Sequence, residues 1–166
     1  MTNPKTSQGM TLLEIVVAMA IIGILAAVVF PSFLAQLTKT RRSDAKISLS
    51  ELTQLQENFY ATGNVYTTSF SALLGLSSGQ TGKYGFEIQS GNLLKSKEGH
   101  YQISFPTTDL SENAANNNLI KRFTLRAEPD TTGKQADDTD CKAFEIDATG
   151  AKTAEDATGN ESEACW

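Results

Sequence analysis

The chain has 166 residues, with 14 Lys and Arg against 19 Asp and Glu and a formal net charge of −5. That length allows one compact domain plus an anchor, and the acid excess argues against a general nucleic-acid binder, leaving open only a local basic patch. One His and two Cys offer no metal constellation, and no nucleophile–base arrangement or phosphate-cradling glycine loop can be drawn, so neither enzyme activity nor a cofactor is expected.

Residues 1–9 form a short polar leader that ends in Gly9. From Ile15 to Thr38 no side chain is charged. A helix of that length spans the ~30 Å hydrocarbon core of a bilayer and satisfies its own backbone polar groups there. A secretory signal would place its apolar run before the cleavage site. Here the plausible cut, after Gly9, precedes the run, so the segment is expected to be retained. Its one charge is Glu14, near the start. An acid inside a membrane helix costs roughly 2.5–3.5 kcal/mol on insertion scales, less near the interface. Such a group calls for a partner. A cut after Gly9 would create an α-amino group at Met10 that can neutralise Glu14, within one chain or between neighbours.

Gly9-Met10-Thr11-Leu12-Leu13-Glu14, with Ile21-Ile22-Gly23-Ile24-Leu25-Ala26-Ala27 and Phe30-Pro31, resembles the class III signal of type IV prepilins and pseudopilins. The resemblance implies that a prepilin peptidase cuts after Gly9 and N-methylates Met10. It also implies that Glu14 guides docking into a growing filament. The family most often has Phe where this chain has Met10. In related filaments the stretch between a Gly and this Pro can lose helicity on assembly; Gly23 and Pro31 bound the matching stretch, with a kink expected near Pro31.

Beyond the anchor, Ala45, Leu49, Leu52, Leu55 or Gln56, and Phe59 recur at helical spacing. Arg41, Arg42, Asp44, Lys46, Glu51 and Glu57 are assigned to the opposite, solvated face. This reads as an amphipathic continuation that ends at Gly63. Lys39, Arg41, Arg42 and Lys46 follow the anchor, and by the positive-inside rule alone they would keep the body in the cytoplasm. The leader cut and the cysteine pair favour export instead.

Residues 62–83 read as a structured loop with a short helical turn around Phe70, Leu73 and Leu74. Alternation predicts strands at 84–88, 101–105 and 123–127, a polar loop at 113–118, and a weaker strand at 141–146. Asp147-Ala148-Thr149-Gly150 is a turn signal. Cys141 and Cys165 in an exported chain predict one disulfide around a segment with little core-forming power. His100 is expected to be a surface residue. Asp137-Asp138-Thr139-Asp140 raises calcium, which takes six to eight oxygens, but without EF-hand-like spacing it reads as a solvated acidic loop. Lys83, Lys95, Lys97, Lys121 and Arg122 are candidates for a DNA-contacting patch.

The expected fold class is therefore α+β, a long N-terminal helix packed on a small antiparallel sheet. The parts are a leader (1–9), a transmembrane and assembly helix (10–38), its amphipathic continuation (39–61), a connecting loop (62–83) and a β-rich body (84–166). Region 141–165 of that body is bounded by the disulfide. The arrangement is similar to the architecture of type IV pilins. Cys165-Trp166, with Arg41-Arg42-Ser43-Asp44-Ala45 after the anchor, resembles PilE-like minor pilins. The resemblance implies a structural subunit in the inner membrane before assembly and in an extracellular pilus afterwards. Its partners would be other pilin subunits, the prepilin peptidase and the inner-membrane assembly machinery. Twitching motility, adhesion and DNA uptake are the roles it leaves open. The alternatives are a pseudopilin of type II secretion and a pilus-tip pilin that binds DNA or surfaces.

Overall fold

The structure, a computed structural model, describes residues 11–82, 84–90, 92–106 and 121–166. Gly9, Met10, Lys83 and the 113–118 loop lie outside the described residues. The backbone divides into two compact units, Met1–Leu37 and Thr38–Trp166.

Helix α1, Leu12–Gly63, belongs to both units. Thr11 caps it: the Thr11 hydroxyl accepts from the Glu14 N–H at 3.3 Å, satisfying one of the first-turn donors that no helix can pair internally. The helix continues through Gly23 and Pro31. It ends at Gly63, where the sequence implies. Gly63 is its last residue, and Asn64, at φ 55°, takes the left-handed cap conformation and donates to the Tyr60 carbonyl at 2.7 Å.

In the second unit, α1 buries Ala45, Leu49 and Leu52 in the core, as its periodicity predicts. The fourth position is Gln56, fully buried, rather than Leu55. Its amide donates to the Thr67 carbonyl at 2.6 Å and accepts from the Thr67 N–H at 3.2 Å. One side chain thus completes the backbone bonds of a loop residue, which is why a polar group is tolerated there. The loop holds helix α2, Phe70–Leu74, capped by Ser69 and closed by Gly75 at φ 65°. Phe70 is buried and stacks on Phe105 at 4.6 Å.

Six strands follow: β1 (Glu87–Ser90), β2 (Leu93–Lys95), β3 (Tyr101–Ser104), β4 (Thr124–Pro129), β5 (Ala143–Asp147) and β6 (Lys152–Glu155). Each pairs antiparallel with the next, in the order β1-β2-β3-β4-β5-β6. One face of this sheet carries the buried Ile88, Leu94, Tyr101, Ile103, Leu125, Ala127, Phe144, Ile146 and Ala154, which form one core cluster with the helical residues. The other face is polar, the alternation expected of an antiparallel sheet covered on one side.

Four expectations need correction. Strand β1 starts three residues later than predicted, because Gly85 at φ 80° turns the chain before Phe86. Strands β2 and β6 are absent from the sequence reading. They are short, and each contributes a single buried residue, Leu94 and Ala154, too few to leave a pattern. The segment between the cysteines does build core, through Ala143, Phe144, Ile146 and Ala154. Asp44 is not on the solvated face: it is buried at 5% exposure, while Ile47 stands out at 59%.

Candidate functional site

The first unit presents an apolar surface. Leu12, Val16, Met19, Ile22, Ile24, Val28 and Phe33 are all more than half exposed, and Glu14 is the only charged residue between Leu12 and Leu37. An 18-residue window of this helix has a mean hydropathy of 2.9 and no buried share, which meets the length and composition for crossing a membrane. A side chain added at Gly23 would meet nothing within 4 Å, so this glycine is not required by packing inside the chain.

In the second unit, two buried carboxylates tie the body to α1. Asp44 projects from the helix into the turn between β2 and β3. It accepts from the Ser96 hydroxyl at 2.6 Å and from the N–H groups of Glu98 and His100 at 3.1 and 3.2 Å. Asp138 does the converse, reaching from the loop before Cys141 to the helix. The Arg42 guanidinium donates to both of its oxygens at 2.7 Å, a bidentate pair at 11% and 2% side-chain exposure. Asp138 also accepts from the N–H groups of Asp140 and Cys141 and from the Gln135 amide. The same Gln135 amide donates to the Tyr101 hydroxyl at 2.9 Å, and burial pushes that phenol well above its usual range. Hydrogen bonding to Asp138 raises the pKa of Arg42, so the guanidinium stays charged.

Cys141 and Cys165 form the disulfide, both buried. The pairing holds the end of the chain beside β5 and β6. Trp166 then packs edge-on against Phe144 at 5.9 Å, and its indole N–H donates to the Thr153 carbonyl. In the acidic 137–140 segment, Asp138 faces Arg42 and Asp140 stands 3.3 Å from the same guanidinium. Among the described residues no group of three or more His, Cys, Asp or Glu is placed to hold a metal ion.

Two of the lysines singled out in the sequence face carboxylates. Lys95 lies 3.9 Å from Asp130, and Lys97 pairs with Glu51. Lys121 and Arg122 are exposed, and Lys83 lies outside the described residues. His100 sits before β3, its ring 3.8 Å from Glu98. The outward sheet face is acidic: Arg126 on β4 is ringed by Glu128, Glu145 and Glu155 at 3.0, 2.6 and 2.7 Å. Hydrogen bonding, first to Glu155, raises its pKa.

The sequence reading missed one cationic site. Lys46 of α1 and Lys152 of β6 lie at the same edge, over the Phe144 ring at 6.0 Å and the Trp166 ring at 4.9 Å. The pKa of Lys46 is lowered, first by burial and then by the positive charges of Arg42 and Lys152. The residues come together only through β6, so no spacing in the sequence announces them.

Comparisons with known proteins complete the site. A family model described as "Type IV minor pilin ComP, DNA uptake sequence receptor" matches residues 31–145. A second, described as "Prokaryotic N-terminal methylation motif", matches residues 4–30. The chain is 32% identical over 88 residues to the type IV major pilin protein PilA of Myxococcus xanthus, covering 53% of this chain and 39% of that one. It is 33% identical over 72 residues to the type IV wide pilus major component PilA4 of Thermus thermophilus, covering 43% of this chain and 55% of that one. The chain thus spans 39% and 55% of the length of these two relatives. A solved type IV pilin from Shewanella oneidensis aligns with a TM-score of 0.38 at 19% identity, over 69% of this chain and 89% of that one.

Proposed function

The chain belongs to the family of the type IV minor pilin ComP, DNA uptake sequence receptor, and from that membership we propose that it is a minor structural subunit of a type IV pilus. The observation that carries this reading is the pairing of two features. An N-terminal methylation motif leads into an exposed apolar helix with one carboxylate, and the minor-pilin match continues from there into the packed body.

The physics of the anchor gives the mechanism. A prepilin peptidase cuts after Gly9 and methylates Met10. The processed chain waits in the inner membrane as a single-pass protein, its body exported. Glu14 carries a solvation penalty there, which pairing with a neighbour's Met10 amine relieves on assembly. The segment 15–30 then exchanges lipid contacts for packing in a helical bundle, where van der Waals contact and the charge pair replace the bilayer. Gly23, with no neighbour to accommodate inside its own chain, and Pro31 bound the stretch that loosens on insertion. The test follows Glu14→Ala through membrane and sheared-filament fractions. The expected variant is processed at wild-type levels but depleted from filaments at least tenfold. Equal incorporation would remove Glu14 from docking.

A second reading, a pilin that contacts DNA, is supported by the wording of the family description and by the cationic edge at Lys46 and Lys152.

A further inference from the structure

We propose that Lys39 and Arg41 form a cationic collar on α1 that contacts the phosphate groups of anionic lipids on the exported face of the membrane. The inference rests on the single-pass anchoring proposed above and adds the partner of these two side chains.

Lys39, Arg41, Arg42 and Lys46 follow the apolar run, and by the positive-inside rule they oppose export of the body. The structure divides them. Arg42 belongs to the body: its guanidinium is held by Asp138 and stands 3.3 Å from Asp140, so that side of the helix is no longer positive. Lys46 lies over the Phe144 ring. Lys39 is exposed and Arg41 partly so, and no ion pair among the described residues engages either.

The helix itself supplies no partner. No acid lies within four residues of Lys39 in either direction. The acid within one turn of Arg41 is Asp44. Its carboxylate is turned away, accepting from the Ser96 hydroxyl and from the N–H groups of Glu98 and His100.

Helix geometry decides what can answer both charges. At ~100° per residue, Lys39 and Arg41 stand ~160° apart around α1 and ~3 Å apart along it. Residues at this spacing do not face each other. A single phosphate ion or one carboxylate side chain cannot meet both. A layer of headgroups surrounds a helix and can.

The neighbouring apolar run points independently to lipid. An 18-residue window of α1 has a mean hydropathy of 2.9, and the uncharged stretch ends at Thr38, directly before Lys39. Counted along the sequence, Ile15 to Thr38 makes ~36 Å of helix against a hydrocarbon core of ~30 Å. With Glu14 at one boundary, Lys39 and Arg41 fall at the headgroups of the other. Long cationic side chains there keep their stems in apolar surroundings and their charges among phosphates. Lysine meets phosphate as a point charge and arginine as a two-pronged donor. The collar thus turns charges that oppose export into contacts that fix how deep the exported helix sits.

The experiment is native mass spectrometry of the processed full-length chain in detergent, doped with phosphatidylglycerol or with phosphatidylcholine of the same acyl length. Inorganic phosphate at equal concentration is the third arm. Wild type is compared with Lys39→Gln/Arg41→Gln and with Lys121→Gln. Lys121 is exposed and lies close in sequence to Phe123, which packs on Tyr66 beyond the end of α1. Thermal melting checks that all three are equally folded. Wild type should retain phosphatidylglycerol in preference to phosphatidylcholine and take up no phosphate. At about fivefold for each cation near a charged surface, the double variant should lose on the order of twentyfold in that preference. Lys121→Gln should match wild type. An undiminished preference in the double variant would overturn the collar, as would equal retention of the two lipids by wild type. A phosphate adduct that wild type carries and the double variant lacks would mark a free-anion site and overturn the lipid assignment. Alkaline carbonate washing of native membranes separates the collar from the anchoring. Release of the chain by carbonate would overturn both, whereas a chain that resists carbonate but shows no lipid preference would overturn the collar alone. A double variant that keeps its lipid preference but leaves the filament fraction would mark Lys39 and Arg41 as contacts with a neighbouring subunit, and would also overturn the proposal.

Discussion

Replacing Asp44 with Ala should destabilise the body by about 3–4 kcal/mol. The carboxylate is 5% exposed and receives three short hydrogen bonds, from the Ser96 hydroxyl and the N–H groups of Glu98 and His100. Hydrogen bonds to a charged group contribute roughly 1.5–3 kcal/mol each, but these three divide one carboxylate charge between its two oxygens and a truncated side chain admits some water, so the sum is well below three full bonds. Ser96 would keep one bond, accepting from the Tyr101 N–H at 2.9 Å. Urea unfolding of the full-length chain in detergent, followed through Trp166, reads the effect. With a slope of about 2 kcal/mol/M, the midpoint should fall by roughly 1.5–2 M. Ser48→Ala is the control. Its hydroxyl touches Asp44 and the Lys97 N–H only at 3.4 and 3.5 Å, and its loss should cost under about 1 kcal/mol. If Asp44→Ala and Ser48→Ala shift the midpoint equally, the buried carboxylate is not what pins the β2–β3 turn to α1.

Three further outcomes are expected. Asp138→Ala should cost about 3–5 kcal/mol by leaving Arg42 without its bidentate partner, while Arg42→Met/Asp138→Leu should cost far less; a double-mutant cycle in urea measures the difference. Reducing the Cys141–Cys165 bond, which closes a loop of 24 residues in separation, should remove about 3.5 kcal/mol in the chain-entropy model, read by unfolding with and without reductant. The Asp147 carboxyl is held below the usual carboxylate range, first by the Thr149 hydroxyl. A depressed folded value stabilises above the unfolded pKa of about 3.9, and that contribution is lost as pH falls through the depressed value. NMR titration of its side-chain carboxyl should therefore give a midpoint below about 3.9, rising toward it in Thr149→Val.

The long elements were legible because their patterns repeat. An unbroken apolar run with Glu14 near its start and the spacing of Ala45, Leu49 and Leu52 give α1 from sequence alone. So do the strands around Ile103, Leu125 and Ile146, whose buried residues alternate. Strands β2 and β6 were not legible, because one buried residue per strand leaves no period and the neighbouring strand supplies the pairing. Asp44 and Gln56 were misplaced or left ambiguous for a related reason. A polar side chain reads as solvated until its partners are known, and those partners lie 11 to 56 positions away in sequence. Lys46 and Lys152 stand still farther apart in sequence, which hid their shared edge.

Intact-mass spectrometry of sheared surface filaments, run beside the membrane fraction of the same cells, tests the pilin reading most directly. The expected species starts at a methylated Met10, lacks two hydrogens for the Cys141–Cys165 bond, and occurs in filaments in trace amounts beside a dominant subunit. A chain still starting at Met1, or a processed chain confined to the membrane, would contradict a minor pilin assembled into the pilus.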